Sequence, residues 1–87
     1  MDTRKYGPVS QPQAEQFLTE AQNKGLTVTR KSAFSGEVSG YGAEVGYVYD
    51  PGSQSITLEL RRAPLFFANV VWSQIEQRLP ANASRLS

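Results

Sequence analysis

The fold is decided by residues 43–62, AEVGYVYDPGSQSITLELRR. Apolar side chains alternate with polar or small ones on both sides of Asp50-Pro51-Gly52-Ser53, a composition that is typical of turns. Strict alternation predicts two antiparallel strands that bury one face and are joined as a β-hairpin. The apolar positions are Ala43, Val45, Tyr47, Tyr49, Ile56, Leu58 and Leu60.

The charges on the polar face predict the register of this hairpin. One register would set Glu44 opposite Glu59, and like charges that face each other destabilise a ladder by up to about 1 kcal/mol. A four-residue loop between Asp50 and Ser55 sets Glu44 opposite Arg61 instead, so we expect this second register. It pairs Tyr49 with Ile56, Tyr47 with Leu58 and Val45 with Leu60 on the core face.

A first helix is predicted before the hairpin. Ser10 and Gln13 have the spacing of a capping box, and Pro12 lies in the first turn, where its missing N–H costs nothing. Gly25 after Lys24 is typical of a helix C-terminus, so we expect the helix to end at Lys24. Its apolar stripe, at helical spacing, consists of Ala14, Phe17, Leu18 and Ala21.

A second helix is predicted after the hairpin, from Pro64 to the residue before Pro80. Its main apolar stripe consists of Phe67, Ala68, Val71, Trp72, Ile75 and Leu79. Phe66 and Val70 lie outside that stripe, so the helix carries more apolar surface than one sheet needs. Either a partner covers this surplus, or the helix is packed centrally and the two side chains are buried.

The remaining strand is predicted to begin at Leu26. Alternate residues of this strand face the core, beginning with Leu26 and Val28, and the next residue in this series is Arg30. We therefore expect either a bulge, or an inward arginine that prevents an edge strand from pairing with another molecule; the second is the simpler interpretation. Residues 36–42 contain three glycines and are predicted as a flexible turn.

These elements predict one small α+β domain of α-β-β-β-α order, a three-stranded antiparallel meander with two helices packed on one face. We expect residues 1–9 to be an N-terminal segment, residues 10–80 the domain and residues 81–87 a flexible C-terminal tail.

Composition excludes several kinds of chemistry. The 87 residues include no cysteine and no histidine, which removes thiolate nucleophiles, disulfides and the commonest metal ligand. The carboxylates are too scattered in the predicted elements to form an acid–base pair. We therefore expect no enzyme activity, no metal and no cofactor. The longest mostly apolar run, residues 63–72, is shorter than the roughly 20 residues that span a bilayer, and we expect a cytoplasmic protein without a membrane segment.

The predicted element order resembles that of double-stranded-RNA-binding domains. That family carries a lysine cluster at the start of its second helix, whereas this helix opens with Pro64-Leu65-Phe66-Phe67. The net charge of +1 also makes nucleic acid an unlikely partner. A nucleic-acid-binding module remains an alternative, and it would use two basic pairs on the strands, namely Arg30, Lys31, Arg61 and Arg62.

The surplus apolar surface of the second helix favours a non-enzymatic interaction module, since partner interfaces are enriched in aromatic side chains. We expect Phe66, Val70 and Trp72 to contact an unidentified protein partner or a second copy of the chain. A third possibility is a small molecule bound between the sheet and the helices, near Tyr47, Tyr49 and Trp72.

Overall fold

The predicted hairpin forms the centre of the sheet in a computed structural model, which describes residues 2–64 and 67–87. In chain order the elements are β1 (Asp2–Gly7), α1 (Gln11–Asn23), β2 (Thr27–Ser32), β3 (Ser35–Gly40), β4 (Ala43–Asp50), β5 (Ser55–Arg62), α2 (Ala68–Arg78) and β6 (Ser84–Arg85). The pairing of Asp50 with Ser55 is observed, as are the three apolar pairs that the charge argument predicts. Their side chains are buried, so the alternation was interpreted correctly.

The sheet has six antiparallel strands in the order β2-β3-β4-β5-β1-β6, and the prediction of a three-stranded meander is wrong. The chain begins with a strand, so the order is β-α-β-β-β-β-α-β, which departs from that of double-stranded-RNA-binding domains. Helix α1 connects β1, beside the hairpin, to β2 at the far edge. Four strands then return across the sheet as consecutive hairpins.

Three strands, β1, β3 and β6, escaped prediction, and β1 and β3 have few apolar residues at their inward positions. In β1 the inward parity consists of Asp2, Arg4 and Tyr6, of which Tyr6 alone has a mainly apolar side chain. In β3, Gly36 takes an inward position, where a larger side chain would collide with Tyr47. The glycine segment is therefore a strand followed by a tight turn. Tyr41 and Gly42 both have positive φ there, as in a type I′ hairpin turn.

The expected pair of Glu44 with Arg61 is wrong by one residue. Glu44 pairs with Arg62 in the ladder, because a bulge places an extra residue of β5 between Arg62 and Leu60. Nη2 of Arg62 lies 3.2 Å from Oε1 of Glu44. Arg61 instead extends over the outer face of the sheet.

Both helices contribute to one core cluster with the inward face of the sheet. Helix α1 has the predicted capping box and the predicted buried stripe, with Lys24 as the C-cap residue. Helix α2 begins at Ala68, four residues later than predicted, and no side chain caps its N-terminus. Leu65 and Phe66 lie outside the described residues.

Strand β2 is an edge strand, and its inward arginine is bound to α1. Two nitrogens of the Arg30 guanidinium donate to the two carboxylate oxygens of Glu15 at 3.1 and 2.7 Å. A register shift also occurs between Arg30 and Ser32. Both features that the parity suggested are therefore present.

Candidate ligand-binding pocket

A pocket of about 370 Å³ opens between α1, α2 and the end of the sheet where β3 turns into β4. Buried core side chains form part of its walls, including Phe17 from α1, Val45 from β4 and Leu58 from β5. Helix α2 supplies the opposite wall through Val71 and Ile75. This volume falls within the range of roughly 300 to 1,000 Å³ that is typical of small-molecule sites.

Three large side chains line the pocket and are also exposed to solvent; we call them the apolar rim. They are Tyr41 (78% exposed), Phe67 (52%) and Val70 (51%). Contiguous exposed apolar groups are characteristic of binding surfaces. The rim therefore joins an exposed surface to a buried apolar interior.

The hairpin turn that carries Tyr41 is bound to the end of α1. The Tyr41 hydroxyl donates to the backbone carbonyl oxygen of Lys24 at 2.9 Å. This carbonyl belongs to a helix C-terminus, where the last carbonyl groups lack intrahelical partners. The hydrogen bond holds the turn against α1 and so fixes one side of the pocket.

The charged residues that line the pocket are both cationic. Lys24 and Arg78 contribute the charged side chains, and among the described lining residues there is no Asp or Glu. Nη1 of Arg78 donates to the backbone oxygen of Gln74 at 3.1 Å and to its Oε1 at 2.7 Å.

Val70 is exposed on α2, as its position outside the main apolar stripe predicts, and it lines the pocket. Trp72 does not line the pocket and is 3% exposed. The Arg4 guanidinium from β1 covers its ring, with Cζ 4.5 Å from the ring centroid. Arg4 is in turn close to Asp2 and Glu76. Trp72 is therefore a core residue in this chain, while Phe66 lies outside the described residues.

The tyrosines proposed for a small-molecule site lie elsewhere. Tyr47 and Tyr49 border a cavity of about 10 Å³, room for no more than about one water molecule. The Tyr49 hydroxyl donates to the backbone oxygen of Val9 at 2.7 Å. Burial raises the pKa of Tyr47 above its usual value. The larger pocket lies on the other side of α1, toward α2.

The structure does not bring the four basic residues of the nucleic-acid alternative together. Arg30 and Lys31 lie on β2, whereas Arg61 and Arg62 lie on β5, three strand spacings or roughly 14 Å away. Arg61 is held between two carboxylates, with Nη1 2.8 Å from Glu37 and Nε 2.9 Å from Glu59. Arg30 and Arg62 are also ion-paired.

Metal-ligand clusters and membrane-spanning helices are both absent from the described residues. No group of three or more potential metal-ligating side chains occurs in residues 2–64 and 67–87. In the same ranges, neither α1 nor α2 has the length and apolar character needed to cross a membrane.

Comparison of the chain with protein-family models, with curated proteins and with solved structures gives no match in any of the three. Its function must therefore be inferred from the pocket itself. Sequence reasoning missed Tyr41, although an aromatic residue between two glycines in a turn is a usable signal of an exposed aromatic side chain. The pocket as a whole had no such signal, because its walls come from five separate elements.

Proposed function

We propose that this chain is a small non-enzymatic binding module whose ligand enters the pocket between α1, α2 and the β3–β4 turn. The observation that carries the proposal is a pocket of about 370 Å³ with an apolar interior and an exposed apolar rim. Ligand sites commonly combine apolar walls with a few polar groups that orient the ligand.

The energetics favour a ligand with an apolar body. Each methylene group that leaves water contributes about 0.8 kcal/mol. A ten-carbon chain therefore contributes about 8 kcal/mol, and after an association cost of at least about 4 kcal/mol the remainder corresponds to a Kd of about 1 mM. The core side chains at the base of the pocket are already fixed by the sheet, which reduces the entropy lost when the ligand binds.

Two valines provide a matched test of this proposal. Val70 and Val48 are similarly exposed, at 51% and 56%, but Val70 lines the pocket and Val48 lies on the outer face of the sheet. Val70→Asp should weaken the binding of Nile red or decan-1-ol at least about fivefold, because it places a carboxylate beside the apolar ligand. Val48→Asp should leave binding unchanged.

Fluorescence titration and calorimetry measure the two affinities, and thermal melts confirm that both variants are folded. Absence of saturable binding to the unmodified chain would contradict the proposal. Equal losses in the two variants would also contradict it, since only one of them alters the pocket.

The same rim supports a second candidate, in which the chain binds a protein or a second copy of itself. The supporting observation is that Phe67 and Val70 are both half-exposed on one helix region. Light scattering after size exclusion tests self-association. A dimer that Val70→Asp dissociates and Val48→Asp preserves would favour this candidate over the small-molecule site.

A further inference from the structure

We propose that the ligand of this pocket is an amphipathic anion, with an alkyl or aryl body in the apolar interior and a carboxylate or similar group beside Lys24 and Arg78. This inference rests on the proposed function and specifies the chemical class of its ligand. It depends on the sign of the charges around the pocket.

Two cationic residues, Lys24 and Arg78, line the pocket, and among its described lining residues there is no Asp or Glu. Within residues 2–64 and 67–87, neither Lys24 nor Arg78 forms an ion pair. Other arginines of the chain do have carboxylate partners, including Arg4, Arg30, Arg61 and Arg62. The two pocket cations are thus available to a ligand.

The hydrogen bonds of Arg78 leave most of its donors free. Both bonds to Gln74 use Nη1, and a guanidinium has five N–H donors. The remaining donors can bind a carboxylate, for which the planar guanidinium is well suited. Lys24 adds a second charge with three rotatable donors.

Helix ends oppose an anion here, so the balance of charges must be considered. Lys24 is the C-cap residue of α1 and Arg78 is the last residue of α2. A helix C-terminus carries the equivalent of about half a negative charge, whereas each side chain carries a full positive charge. The cations therefore outweigh the helix ends, and the local field favours an anionic group.

Decanoate and decan-1-ol have alkyl chains of the same length and differ in the charge of the headgroup, so comparing them separates the contribution of the headgroup from that of the alkyl chain. Calorimetry should be performed with the unmodified chain, with the double variant Lys24→Gln/Arg78→Gln and with the control Lys31→Gln/Arg85→Gln. The control also removes one lysine and one arginine, from residues that do not line the pocket. Thermal melts verify that each variant is folded.

The Lys24→Gln/Arg78→Gln variant should bind decanoate about tenfold more weakly, because each lost charge should weaken binding by about threefold. Its affinity for decan-1-ol should be unchanged, and the control should change decanoate affinity less than about twofold, through long-range screening alone. Binding of decanoate should also weaken as salt is added.

The outcomes separate this inference from the proposed function. If neither compound binds the unmodified chain, both are wrong. A second outcome is that both compounds bind the unmodified chain while the pocket variant either keeps its decanoate affinity or loses as much affinity for decan-1-ol as for decanoate. In either case the anion preference is wrong, and the apolar site remains supported. Equal loss in the control variant would show a nonspecific charge effect and would also overturn the anion preference.

Discussion

At the scale of single residues, an arginine of β1 covers the tryptophan of α2. Arg4 lies on β1, and its guanidinium packs on the ring of Trp72 from α2. The Arg4 side chain is about one-fifth exposed, so it shields the ring while its charged group reaches Asp2 and Glu76. A residue from the start of the chain thereby contributes to the burial of a residue near its end.

Removing this cover should expose Trp72. Arg4→Ala should lower the free energy of unfolding by about 1 to 2 kcal/mol, through lost cation–π contact and lost packing. The chain contains one tryptophan, so its fluorescence emission should shift to longer wavelength in the folded variant. Arg4→Met retains an apolar cover and should shift less. An unchanged spectrum in Arg4→Ala would contradict the packing role.

Gly36, on the inward face of the sheet, and Gly46, on its outward face, differ in what an added methyl group would contact. At Gly36 an added Cβ would lie 2.8 Å from the Tyr47 hydroxyl oxygen and closer still to the Thr29 carbonyl oxygen. At Gly46 it would meet the Arg61 guanidinium, which is the far end of a flexible side chain. The first obstacle includes backbone and a buried ring, and the second can move.

Gly36→Ala should therefore destabilise the chain by about 1 to 3 kcal/mol, as overpacked core substitutions do. Gly46→Ala should change the free energy of unfolding little, although it displaces Arg61 from its place between Glu37 and Glu59. Urea unfolding measures both. Comparable destabilisation in the two variants would show that loss of glycine itself, and not the specific contact, is responsible.

At the scale of elements, an ion pair connects α1 to the edge strand β2. Hydrogen bonds from Arg30 lower the pKa of Glu15, against a smaller opposing effect of burial. Both side chains are nearly half exposed, so solvent screening limits the contribution of the pair to about 1 kcal/mol or less. The pair nevertheless explains why an arginine can occupy an inward position at the sheet edge.

The pH dependence of this pair has a definite sign. Because the pKa of Glu15 is lowered in the folded chain, its contribution is fully present above the ordinary glutamate pKa of about 4.3. It is lost as the pH falls through the lowered value. The difference in unfolding free energy between the unmodified chain and Glu15→Gln should therefore shrink in acid. A difference that is constant from neutral pH to about pH 3 would contradict this linkage.

At the scale of the whole molecule, three of the four basic residues of the nucleic-acid alternative are held in local ion pairs and do not form one basic face. Arg30, Arg61 and Arg62 have carboxylate partners on α1, β3 and β4, respectively. A duplex bound to any one of these sites would have to compete with the neighbouring carboxylate. The low net charge of +1 gives no compensating long-range attraction.

We therefore predict that duplex RNA or DNA binds no more tightly than about 1 µM at physiological salt. A salt titration monitored by fluorescence anisotropy provides the measurement. Sub-micromolar affinity that falls steeply as salt increases would contradict this prediction and would favour the basic pairs as a nucleic-acid site.

Much of the local structure was predictable because it depends on neighbours in sequence. The capping box of Ser10 and Gln13 and the alternation in β4 and β5 are each set within a few residues. Helix α2 was less predictable at its start, since no capping side chain marks it. Of the candidate contact residues, Val70 is exposed, as its place on the helical wheel predicted.

The sequence by itself determined one helix with both of its ends, the central hairpin with its apolar pairs, and the absence of cysteine and histidine chemistry. The tertiary structure alone decided that β1 joins the sheet beside β5, that a glycine segment forms β3, and that a bulge moves Arg61 away from Glu44. It also decided that Trp72 is covered and that a pocket opens beside α2. The physical reason is that periodicity and capping are local signals, whereas strand pairing, burial and cavities arise from contacts between residues far apart in the chain.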